Sequence, residues 1–154
     1  MSGNAPEIDL PQLPNARVAI ISSSWHLDIC NDLIAGAERA LAAAAIKNVE
    51  VIYVPGSFEI PLASQIAFEK GFDAVVAVGL VPEGETPHFD YVCQGVTQGV
   101  MDVSLKFSAP IGFGVLMCNT LDQAVARSGR PGSSEDKGYD SAVAAIKLLQ
   151  LKEG

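Results

Sequence analysis

The densest group of residues able to do chemistry is Gly84-Glu-Thr-Pro-His88. It separates an apolar, strand-like run from a segment of helical periodicity. Thr86 suits an N-cap and Pro87 a first helical position, which would leave free N–H groups around residues 84–88. Such a helix start binds phosphate or another anion through its N–H groups and its dipole. His88 falls in that first turn, where the dipole favours the neutral imidazole, a form able to accept a proton near pH 7. Spacing leaves a plainer reading open, in which His88 is only a polar residue on the first turn.

Three other segments carry weaker signals. Ser22-Ser-Ser-Trp25-His26 holds the only tryptophan, whose flat ring could stack on a heteroaromatic substrate or simply anchor the following helix. His26 has no evident partner and reads as structural or exposed. In Val54-Pro-Gly-Ser-Phe-Glu59, Gly56 would let backbone approach a ligand. Glu59 there either accepts hydrogen bonds from a polyol or merely suits a helix start. Arg127 and Lys137 flank a Gly/Pro/Ser connector and could hold a phosphate, Arg127 as a fork and Lys137 as a point charge, or be solvated. Glu135-Asp136-Lys137 also reads as an exposed helix start. Asp90, Asp102 and Glu38 read as solvated helix faces.

The elements that must position these groups alternate in type. Strand-like runs cover Arg17–Ser22, Val49–Val54, Phe72–Val78 and Ala109–Leu116. Helical patterns cover Trp25–Ala45, Phe58–Lys70, a long face marked by Val92, Val96, Val100, Val103 and Phe107, the short Leu121–Arg127, and Asp140–Leu151. Leu80–Pro87 reads as a loop. The alternation predicts a four-stranded, mainly parallel sheet with helices on both faces, a three-layer α/β/α domain over residues 15–154 behind an arm at 1–14. Right-handed crossovers put every strand C-terminus on one edge, where ligands bind. Ser22–His26, Pro55–Glu59, Gly79–His88 and Leu116–Thr120 should therefore meet there.

Composition narrows the function. A net charge of -8 among 154 residues argues against nucleic acid and anionic membrane as partners. The arm lacks a basic n-region and reads as a polar arm rather than a signal peptide, and with every apolar run interrupted by a charge or breaker no transmembrane helix is expected. Cys30, Cys93 and Cys118 lie far apart, as in a reduced cytoplasmic protein. With two histidines and no close ligand spacing, no metal site is expected.

Taken together and in order, Ser-Ser-Trp25-His, Val54-Pro-Gly-Ser-Phe-Glu-Ile-Pro61, Gly84-Glu-Thr-Pro-His-Phe-Asp-Tyr91 and Glu135-Asp-Lys-Gly138 resemble lumazine synthase over about residues 15 to 150. The resemblance implies a flavodoxin-like fold and a transferase of riboflavin biosynthesis. Its reaction joins 5-amino-6-ribitylamino-pyrimidinedione to 3,4-dihydroxy-2-butanone 4-phosphate, giving 6,7-dimethyl-8-ribityllumazine, phosphate and water, with no cofactor. It implies that Trp25 stacks on the pyrimidine, that Ser57, Phe58 and Glu59 hold the ribityl chain, and that Val81 lines the ring pocket. Glu85 and Thr86 would bind phosphate through backbone N–H groups, and His88 would shuttle protons. The implied assembly is a cytoplasmic homo-oligomer, a pentamer whose sites lie between subunits. Phe113, Arg127 and Lys137 would then come from the adjacent chain.

The sequence departs from that family at one point. A branched apolar residue and a cation usually follow the position of Val81, but here Pro82-Glu83 stands. Proline removes an N–H able to bond a ring carbonyl, and Glu83 puts a negative charge beside the phosphate. That pair leaves open an impaired or non-catalytic lumazine- or flavin-binding relative; an oligomeric scaffold is a third reading. The connector carrying Arg130-Pro131-Gly132 looks longer than in shell-forming members, which favours a free pentamer over an icosahedral shell.

Overall fold

The structure is a computed structural model that describes residues 8–153. The first half of the expected arm, residues 1–7, lies outside the described residues. From residue 8 onward the chain docks rather than projecting: Leu13 is buried, Leu10 packs on the core, and Leu13 N–H donates to Ala44 O at 2.8 Å.

The strands are β1 (Arg17–Ser23), β2 (Asn48–Val54), β3 (Ala74–Pro82) and β4 (Ile111–Cys118). They form one sheet in the order β2-β1-β3-β4, parallel throughout. That is the flavodoxin-like order. The helices are α1 (Leu27–Ala43), α2 (Ile60–Glu69), α3 (His88–Phe107), α4 (Leu121–Ala126) and α5 (Lys137–Glu153), with a 3-10 turn at Ser57–Glu59 before α2. The three-layer expectation holds, and the physical reason is visible in β3. Its residues Ala74 to Val81 are all buried because the two faces are covered by different helices. Val76, Val78 and Leu80 join one cluster with Leu33, Leu41 and Ile146 of α1 and α5. Val75, Ala77 and Val81 join the other with Ile60, Val96 and Val100 of α2 and α3. Each fully buried Leu, Ile or Val contributes about 1.5–3 kcal/mol, so both layers are held mainly by this burial.

Several boundaries differ from the sequence reading, and those of four elements bear most on the site. β3 starts at Ala74 and continues to Pro82, so the expected loop begins three residues late. β4 is shifted two residues towards its C-terminus, pairing Val81 with Met117 and Pro82 with Cys118. α1 starts at Leu27, after His26 takes a left-handed conformation with φ of 52°. α5 starts at Lys137, because the Asp136 carboxylate accepts the Tyr139 N–H at 3.1 Å and caps the helix there.

Two glycines set the helix layers close. A Cβ on Gly138 would collide with the Leu33 carbonyl of α1, so α5 can touch α1 only with glycine at that position. A Cβ on Gly95 of α3 would lie 2.6 Å from Phe58 Cε1. That glycine lets the 3-10 turn press against α3, and with it the segments carrying Phe58 and His88.

Candidate functional site

Three of the four expected segments converge at the C-terminal edge of the sheet around a cleft of about 700 Å³. Trp25 comes from the end of β1, Pro55 to Glu59 from the end of β2, and Leu80 to Pro82, Gly84, Thr86 and His88 from β3 and its connection to α3. The fourth segment, Leu116–Thr120, does not line it. The first two are tied together directly. Ser24 donates its N–H to Pro55 O at 3.3 Å and its hydroxyl to Val54 O at 2.8 Å. The left-handed turn at His26 then takes the chain into α1 and leaves Trp25 on the surface, 64% exposed, against the bare face of Gly56. A tryptophan that anchors a helix is ordinarily buried, and this ring is not.

Small polar groups lie at and behind the cleft wall. Ser23 is fully buried and its hydroxyl accepts the Leu80 N–H at 3.3 Å. Gly79 lies against the Ser23 and Ser57 hydroxyls, with no room for a Cβ. Ser57 is 4% exposed, and its Oγ finds no hydrogen-bond partner among the described residues. A buried hydroxyl without a partner costs about 1–3 kcal/mol, which a bound polar ligand would recover. Glu59 is exposed; one carboxylate oxygen accepts the Gly56 N–H at 2.9 Å and the other remains open to a donor. Phe58 is exposed beside it.

The anion end differs from expectation in its capping. α3 begins at His88 with Pro87 in the N-cap place, and the Thr86 side chain makes no capping bond. The chain leaves β3 late and reaches the helix by a bend, so Pro87 sits one residue earlier in the helix than the spacing suggested. The free donors expected there are present all the same. The N–H groups of Gly84, Glu85 and Thr86 donate to no acceptor among the described residues, and His88, in the first turn, has an exposed imidazole without a partner there. No Lys or Arg lines the cleft, while Glu59 does, and exposed Glu83 and Glu85 lie in its rim segment.

Pro82 occupies the ladder without damaging it. Val75 and Glu83 donate their N–H groups to Pro110 O and Cys118 O, on the β4 side. Leu80 donates to Ser23 on the β1 side. Alternation therefore turns the nitrogen of residue 82 towards the β1 side, beyond the last β1 partner, where the cleft opens. A proline is tolerated where no ladder bond is lost.

The remaining candidates lie elsewhere in the chain. Phe113 is half exposed on β4 and lines an apolar groove with Leu105, Leu148 and Leu151. Arg127 ends α4 and Lys137 begins α5, and neither lines the cleft. Both contact the Glu135 carboxylate, Arg127 Nε at 3.4 Å and Lys137 Nζ at 3.1 Å. The solvated-charge reading is thereby corrected. Asp140 stands 3.9 Å from Lys137; burial pushes its carboxyl up, against the pull of that cation. Among the described residues, no group of three or more His, Cys, Asp or Glu is placed to hold a metal, and no helix is long and apolar enough to cross a membrane. All three cysteines are free, with thiols pushed up chiefly by burial.

Cleft-lining residues that the motifs did not single out are Pro55, Leu80, Phe89, Tyr91 and Val92. Val92 was legible only as core periodicity. Tyr91 lay inside a quoted motif but carried no spacing signal of its own.

Residues 15–153 match the family profile described as 6,7-dimethyl-8-ribityllumazine synthase. Several similar proteins bear that name. The protein of Streptomyces coelicolor is 49% identical over 95% of this chain and 91% of its own length. That of Pseudarthrobacter chlorophenolicus is 50% identical over 95% and 94%, and that of a Nocardioides species 45% identical over 99% and 96%. With the match spanning nearly the whole chain, and its sheet order and motif-bearing cleft as described, the chain belongs to the 6,7-dimethyl-8-ribityllumazine synthase family, transferases of riboflavin biosynthesis.

Proposed function

We propose that this cleft is the half-site in which the chain condenses 5-amino-6-ribitylamino-pyrimidinedione with 3,4-dihydroxy-2-butanone 4-phosphate, and that a neighbouring copy completes it. The observation that carries this reading is the content of the cleft. An exposed indole, an unpartnered buried hydroxyl, unused amides and a free imidazole line or border one space, with no cation among its lining residues.

Each group has a task in that reaction. The Trp25 ring stacks on the pyrimidine, and Val81 closes the pocket beside it. Ser57 Oγ gains the partner it lacks from a ribityl hydroxyl, with Phe58 against the chain and the open oxygen of Glu59 accepting from another hydroxyl. The Glu85 and Thr86 N–H groups hold phosphate by fixed dipoles. Amine addition to the ketone, elimination of phosphate and ring closure with loss of water each move a proton, which His88 can take and return. Holding two reactants in one site supplies much of the remaining acceleration.

A phosphate among three glutamates needs a counter-charge that the cleft itself lacks. Arg127 and Lys137, tied together on another part of the surface, supply it from the adjacent subunit, with Phe113. A closed cytoplasmic homo-oligomer, a pentamer, meets that geometry because every subunit gives and receives one face.

Co-expression of His88→Ala with Arg127→Ala tests the shared site. Each variant alone should lose about 10²-fold or more in turnover, the scale of one acid–base or electrostatic group. Mixed oligomers should recover a measurable part of it, because some interfaces pair an intact His88 with an intact Arg127. Absence of recovery in mixed oligomers would place both residues in one chain's own site.

A further inference from the structure

We infer that Glu135 is a positioning residue for the phosphate: its carboxylate holds Arg127 and Lys137 side by side so that their remaining donors face outward together. This role rests on the assignment of those two cations to the phosphate.

The segment around Glu135 is fixed before its side chain acts. Its N–H donates to Ala126 O at 3.0 Å, and its carbonyl accepts from Gly129 N–H at 3.1 Å and from the Ser133 hydroxyl at 3.2 Å. Lys137 N–H donates to Arg127 O at 3.0 Å, so the two cationic residues are backbone neighbours although ten positions apart. The connector that makes this possible is itself pinned to α1, where Arg130 places Nε and Nη2 each 2.7 Å from Asp32 Oδ2.

On that frame one carboxylate lies between two cations, as an ion pair with each; its Oε1 is buried without a hydrogen-bond partner among the described residues. Oε2 faces Arg127 Nε and Oε1 faces Lys137 Nζ, and the Glu135 side chain is 11% exposed. Arg127 Nη1 is engaged as well, donating to Gln123 O at 2.9 Å. One guanidinium nitrogen, Nη1, is thus held by a hydrogen bond and Nε by an ion-pair contact, while Nη2 has no partner among the described residues. The Lys137 ammonium has three donors, and Glu135 can take only part of them. Without the bridge, two like charges this close would splay apart and would have to be ordered again at each binding event. The fixed pair presents an arginine edge and a point charge, a combination suited to phosphate oxygens.

The test is steady-state kinetics and inhibition by inorganic phosphate on the assembled protein. Glu135→Ala should raise both the inhibition constant of phosphate and the KM of the keto-phosphate by about tenfold, the size of one lost charge-assisted contact. The KM of the pyrimidine should stay within about twofold and kcat should fall far less than the about 10²-fold expected of Arg127→Ala, a split that general loosening of the fold would not produce. Glu135→Gln keeps an acceptor in place and should show a smaller rise in the same two constants; it carries the test if the alanine variant fails to assemble. Unchanged phosphate constants would overturn the inference. So would tighter phosphate binding, which would show that the carboxylate competes with the ligand. Arg127→Ala and Lys137→Ala separate the two levels. If neither weakens phosphate, the cations have no phosphate role. If they do and the Glu135 variants do not, that role stands and Glu135 is not its positioning residue.

Discussion

Replacing Pro82 with alanine should improve the site. Alternation along β3 turns the nitrogen of residue 82 away from β4 and towards the cleft, past the last residue that β1 pairs. Alanine there restores an N–H without disturbing the ladder bond from Glu83 to Cys118 O, which is 2.9 Å long. A net hydrogen bond is worth about 0.5–1.5 kcal/mol, so the pyrimidine should bind about two- to tenfold more tightly. Stability moves the other way. Losing proline frees the unfolded chain and costs about 0.4–1 kcal/mol. For a chain of this size that lowers Tm by about 1–4 °C. Calorimetric titration with the pyrimidine and a thermal melt of the same sample measure both. A folded Pro82→Ala protein with unchanged or weaker pyrimidine affinity would show that this nitrogen does not meet the ligand.

Three further outcomes follow from the same geometry. Glu83→Arg should lower the KM of the keto-phosphate, since it replaces a negative charge near the phosphate amides with a positive one; an unchanged value would place that side chain away from the phosphate. Gly138→Ala should cost about 1–3 kcal/mol or more by driving a Cβ into the Leu33 carbonyl, read as a fall in Tm with little effect on the KM of the surviving folded protein. Cys30 and Cys118 should resist iodoacetamide at neutral pH. Burial pushes both thiols above their ordinary range, so the reactive thiolate becomes appreciable only as pH rises towards that raised value. Rapid labelling of either at pH 7 would contradict their burial.

Much of this was legible in the sequence because periodicity and turn residues report local geometry. The α1 face at Leu33, Ala37 and Leu41 and the α5 face at Ala142, Ala145 and Ile146 are buried as their spacing required. Strand ends were less legible because pairing sets them. β3 runs on to Pro82 only because β4 continues beside it to Cys118, a partner more than thirty residues away. The cap of α5 was misplaced for a similar reason: Asp136 was visible as a charge, while its capping role and its pairing with Arg39 depend on the folded connector. In the cleft, Trp25, Glu59 and His88 could be picked out by type and position. Ser23 fell inside the expected Ser22–His26 segment, but its part in supporting the cleft shows only once Leu80 is seen to donate to it. Arg127 and Lys137 looked like separate surface charges because the carboxylate joining them belongs to a loop without periodicity.

The central claim is that the cleft performs the condensation. Its most direct test is to mix the purified, assembled protein with the ribitylamino-pyrimidine and the butanone phosphate at neutral pH and follow lumazine absorbance. Sustained product formation well above the spontaneous rate, with phosphate released in equal amount, is the expected result. No turnover by a folded, assembled protein would contradict it, and Pro82-Glu83 would be the first segment to restore.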